Sequence, residues 1–70
     1  MTAYHYYVND NDQPTGEHEV HASWCRYVEE MASKTYLGIF SSSDEAVQKA
    51  KTIYYNSDGC ANCCPLSHTR

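Results

Sequence analysis

A chain of 70 residues is one small domain, in the size range where an apolar core alone is marginal and a metal, disulfides or a partner chain must help. Nine acidic residues against five basic ones give a net charge of −4 with histidines neutral, and Lys and Arg nowhere cluster. Nucleic-acid affinity comes largely from phosphate neutralisation by clustered cations, so unaided DNA or RNA binding is disfavoured, and no apolar run approaches a membrane span.

Met1-Thr2-Ala3-Tyr4-His5-Tyr6 lacks the basic and apolar regions of a signal peptide, so the expectation is a cytoplasmic chain with reduced thiols. Tyr4 to Val8 is rich in strand formers, with Tyr4, Tyr6 and Val8 on one face and His5 and Tyr7 on the other. Asn9 to Gly16 is turn chemistry: Asn and Asp bond their own backbone, Pro14 fixes φ and Gly16 supplies positive φ. Asp10, Asn11 and Asp12 do not make a calcium loop, because the glycine and glutamate that such a loop requires further on are missing. They read as a solvated turn. Glu17 to His21 reads as a second strand, pairing back on the first as a hairpin.

Ala22-Ser23-Trp24 leads into Cys25, and Arg26 to Thr35 has no clear period, so it reads as a surface connection with a helical turn around Val28 to Ala32. Tyr36 to Phe40 is a short apolar run, taken as the central strand, with Gly38 marking a bulge or a close backbone approach. Ser42 and Glu45 form a capping box, and Asp44 and Glu45 suit the positive end of a helix dipole. Ala46, Val47, Ala50, Ile53 and Tyr54 then recur at helical spacing as one apolar face. Asn56-Ser57-Asp58-Gly59 reads as a turn, and residues 66–70 as a frayed tail. The expected fold is α+β: an antiparallel hairpin, a third strand and one C-terminal helix (β-β-β-α), in a single domain over residues 1–70.

The chemistry concentrates in Cys60-Ala61-Asn62-Cys63-Cys64-Pro65, where Cys60 and Cys63 can aim two thiolates at one point. His21-x-x-x-Cys25 supplies a second half-site, and Cys₃His is a standard structural zinc set that leaves no open position for catalysis. The candidate ligands are therefore His21, Cys25, Cys60 and Cys63. Cys64 competes with Cys63, since adjacent residues point differently and only one would ligate; His68 and His18 compete with His21. Other readings exist. The cysteines could be buried small apolar residues, or Cys60, Cys63 and Cys64 could do thiol-redox work. In an exported chain they would instead form two disulfides, in one of three pairings. His5 is an edge or core histidine. The tyrosines at 4, 6, 7, 36, 54 and 55 could stack on bases, but without a basic groove core packing is the better reading.

At these residues the chain resembles the Ada-type metal-binding domain, found in the bacterial alkylated-DNA repair regulator and as small tails on nucleases. The resemblance runs through Tyr7-Val8-Asn9, Glu19 to Cys25, Tyr36 to Ser42, Glu45-Ala46 and Cys60 to Pro65. It implies zinc held by His21, Cys25, Cys60 and Cys63 in a short stand-alone bacterial relative. It does not imply repair chemistry: the methyl-accepting cysteine of the repair protein is His21 here, which cannot act as that thiolate. The family's basic Gly-Tyr-Arg-Pro approach to the second half-site is replaced by Tyr54 to Gly59, without the arginine. The expected function is a non-catalytic zinc module that serves as a protein-interaction or accessory domain. Thiol-redox activity, and nucleic-acid accessory binding by family analogy, are the alternatives.

Overall fold

The computed structural model describes residues 2–68. Four strands, β1 (Tyr4–Asn9), β2 (His18–Ala22), β3 (Lys34–Phe40) and β4 (Ser57–Gly59), form one mixed sheet in the order β3-β1-β2-β4. A single α-helix, α1 (Ser43–Ala50), and two 3₁₀ turns, Arg26–Val28 and Pro65–Ser67, complete an α+β architecture.

The hairpin is present: β1 and β2 run antiparallel with Tyr7 opposite His21 and Val8 opposite Val20. Alternation along these two strands divides the molecule. Tyr6, Val8, Val20 and Ala22 are buried on one face with Leu37, against Ala46, Val47 and Ala50 of α1. Tyr7 turns to the opposite face, where a second cluster of Cys25, Val28, Met31 and Cys60 sits. Both faces of β2 are thus covered, and Val20, His21 and Ala22 are all buried.

Several expectations change. The strand taken as central, β3, lies at the sheet edge, and the central place beside it belongs to β1. The reason is apolar content on both sides: Tyr36 and Ile39 remain half exposed, whereas Tyr6 and Val8 are buried. At Gly38 the bulge does occur. Tyr6 pairs with Gly38 but Tyr7 with Tyr36, leaving Leu37 as the extra residue, and Gly38 has φ 126°. The turn read at Ser57 to Gly59 is a fourth strand, parallel to β2, with Glu19 opposite Asp58 and Val20 opposite Gly59. A β-β-β-α order therefore omits the strand that follows the helix.

The helix begins as its cap predicts, with the Ser42 hydroxyl accepting the Glu45 backbone N–H at 3.3 Å. It stops at Ala50, short of Ile53. The Thr52 hydroxyl donates to the Lys49 carbonyl, and the Thr52 N–H donates to the same group, tightening the last turn. Ile53 is consequently exposed, while Tyr54 packs against the main cluster. The connection from residue 26 to 35 is not merely a surface strap either, because Val28 and Met31 are buried beneath it. Within the expected tail Leu66 is exposed, while Ser67 and His68 make defined contacts. Ser67 donates to the Asp44 carboxylate at 2.6 Å and shares a hydroxyl contact with Ser43, and His68 Nδ1 lies 2.9 Å from the Gly59 carbonyl oxygen. Residues 69 and 70 of the expected tail lie outside the described residues.

Candidate metal centre

Three local structures bring the ligands together. His21 comes from β2, on the face opposite the helix. A tight turn with Cys25 N–H donating to the Ala22 carbonyl at 2.9 Å folds Cys25 back towards it. The parallel pairing of β4 with β2 carries the chain alongside Val20, and the Cys60 N–H then donates to the Val20 carbonyl at 3.0 Å. That register places Cys60 next to His21. One more turn, closed by Cys64 N–H to the Cys60 carbonyl at 2.8 Å, presents Cys63.

The result is a compact group. One ligand atom from each of His21, Cys25, Cys60 and Cys63 lies within 4.8 Å of every other. Zinc–ligand bonds of about 2.0–2.3 Å in a tetrahedron imply ligand edges of about 3.5–3.8 Å, so small side-chain movements inward suffice. His21 Nδ1 is already 3.9 Å from Cys63 Sγ. Two backbone N–H groups donate to the sulfurs, Ala22 to Cys63 and Asn62 to Cys60, each at 3.4 Å. Such bonds favour thiolate over thiol. His21 Nε2 faces Glu19 Oε1 at 3.5 Å, the carboxylate–imidazole arrangement that orients a metal-ligating ring through its other nitrogen.

Burial sets the protonation preferences of this group. Burial holds His21 below the usual imidazole range, hence neutral, the form that ligates. Burial likewise pushes the Cys60 thiol up to about 11. Cys63 is raised by hydrogen bonding to the Cys64 sulfur and by burial. Ligation must therefore displace thiol protons. Burial also raises Glu19.

The competing ligands are accounted for. Cys64 is buried in the main cluster beneath the helix, touching Cys63 sulfur to sulfur at 3.6 Å but outside the four-residue group. His18 stacks on Tyr54 with ring centroids 3.8 Å apart, its Nδ1 2.9 Å from the Asn9 carbonyl. His68 is engaged with Gly59 and the Asp58 carboxylate. His5 contacts the Tyr36 hydroxyl at the sheet edge. The tyrosines are divided among several places: Tyr36 meets Tyr7 and His5 at the sheet edge, Tyr6 is in the core, Tyr54 covers His18, and Tyr55 is exposed.

Reading the sequence left Val28 and Met31 without a role, yet they form the apolar bed of the site. Their spacing of three was the available signal, obscured by the exposed Glu29 and Glu30 between them. Among the described residues no helix is long and apolar enough to cross a membrane. No family model matches the chain, and neither any curated protein nor any solved structure is significantly similar to it.

Proposed function

We propose that this chain is a non-catalytic, zinc-stabilised module whose surface engages a protein partner, a bacterial and cytoplasmic relative of the Ada-type metal-binding domain. The observation that carries this reading is the convergence of one imidazole and three thiols within 4.8 Å, in and around a buried cluster with few other apolar residues. His21, Cys25, Cys60 and Cys63 would hold the ion. Bound zinc would supply a cross-link between β2, the turn after it and the loop after β4. A Cys₃His set uses all four tetrahedral positions, which argues for a structural role. The raised Cys60 and Cys63 thiols and the burial of Cys64, whose thiol is lowered by hydrogen bonding with Cys63, speak against a redox thiol, which needs an accessible thiolate. The net charge of −4 and the scattered tyrosines speak against nucleic acid.

Elemental analysis of protein purified without chelator tests the proposal. One zinc per chain is expected, retained in Cys64→Ala and lost in Cys25→Ser and Cys63→Ser. A folded, metal-free chain whose spectra do not change on zinc addition would sink the reading.

A further inference from the structure

Beside the ligand cluster, on the same face of the sheet, lies a cavity of about 350 Å³. Glu19, Glu30, Asn9, Gln13, Tyr27 and Met31 line it. His21, itself 2% exposed, closes the cavity on the ligand side. None of the lysines or arginines of the described residues lines it. Arg26 lies over the Tyr27 ring, 5.0 Å from its centroid, and donates to the Tyr27 hydroxyl, while Lys34, opposite Asn9 in the sheet, lies over the Tyr7 ring.

We propose that this cavity receives the cationic end of an arginine or lysine side chain presented by a protein partner. The inference rests on the interaction-module reading and gives it a chemistry. The volume is at the lower end for ligand sites and suits a single long side chain. An aliphatic stem lies against Met31 and Tyr27 as such stems do on apolar surfaces, while its charged head meets the Glu30 carboxylate, with Glu19 beside it facing His21 Nε2 at 3.5 Å. Asn9 and Gln13 line the same cavity, and Asn9 Oδ1, which accepts the Asn11 N–H at 3.0 Å, keeps a second lone pair for a further donor. A chain with net charge −4 also draws a basic partner towards it before contact.

The test is a titration of ¹⁵N-labelled protein, with zinc content measured on each sample. The probes are Nα-acetyl-arginine amide, its uncharged citrulline counterpart, and a short peptide with one arginine among neutral residues. Saturable shifts confined to amides near Asn9, Glu19 and Tyr27 to Met31 are expected with both arginine probes, the peptide binding more tightly, and none with citrulline. Glu30→Gln, at an exposed position, should weaken arginine binding roughly two- to fivefold. Equal shifts from citrulline, shifts scattered over the acidic surface, or an unchanged Glu30→Gln protein would overturn the proposal. So would binding of the amide with exclusion of the peptide. A fully zinc-loaded protein without arginine-specific shifts removes the cavity proposal alone. Arginine binding by a folded, zinc-free chain removes the zinc reading alone.

Discussion

Asp10 shows how much one side chain can hold in a domain this small. Its carboxylate accepts hydroxyl hydrogen bonds from Ser33 and Thr35, both at 2.6 Å, and from Tyr54 at 2.9 Å. It thereby joins the end of β1, the entry to β3 and the segment after α1. These bonds, that of Ser33 first, hold the Asp10 carboxyl below the usual carboxylate range. A folded pKa below the unfolded one adds stability that is present above about pH 4 and lost as pH falls through the folded value. Asp10→Asn should therefore lower stability by about 1 kcal/mol near neutrality, after allowing for solvent screening. The difference from wild type should shrink below about pH 4. Denaturant midpoints against pH check this, and a gap that widens towards acid would refute it. At this scale the His/Cys group that the fold draws together was legible in the sequence because His21-x-x-x-Cys25 and Cys60-x-x-Cys63 carry spacing and chemistry together. The role of Asp10 was not, since its donors lie 23, 25 and 44 residues away.

Among the elements, β4 is decisive and was the hardest to foresee. Ser57-Asp58-Gly59 has turn composition, and only its parallel alignment with β2 makes it a strand. Gly59 there faces a crowded wall. A Cβ at that position would stand 2.8 Å from Ser67 Cβ and 3.0 Å from both Cys64 Cβ and the Cys64 carbonyl oxygen. Gly59→Ala must push the Cys60–Cys64 turn away from β2 and should cost about 1–3 kcal/mol. Chemical denaturation, with metal affinity measured alongside, should register both losses. An alanine variant as stable as wild type would mean that the turn yields freely. The start of α1, by contrast, was legible, because the Ser42 cap and its acidic first turn are local chemistry. Its end was not, because Thr52 closes the helix before the apolar spacing runs out.

For the molecule as a whole, the division into two clusters sets what metal removal should do. The larger cluster packs the sheet on α1, and the smaller one consists of Cys25, Val28, Met31 and Cys60, with Tyr7 and Cys63 against it. Cys63 touches both, and Cys64 beside it belongs to the larger. Chelation should first abolish amide protection around residues 22–31 and 60–64. The small cluster has too little apolar area to stand alone, and α1 should lose protection after it, because Cys64, next to Cys63, packs in the larger cluster with the helix. Hydrogen exchange with and without chelator reads this directly. Full protection of residues 60–64 in chelator would show that packing alone holds the site. The sequence by itself determined the His/Cys group that the fold draws together, the hairpin, the helix start and the net negative charge. All of these follow from local spacing, local capping or total charge. Tertiary structure alone decided which strand is central, that Ser57 to Gly59 pairs with β2, which of Cys63 and Cys64 faces the ligands, and that a cavity opens beside His21. Each depends on how distant segments share buried area and backbone hydrogen bonds, a competition that no single stretch of the chain can settle.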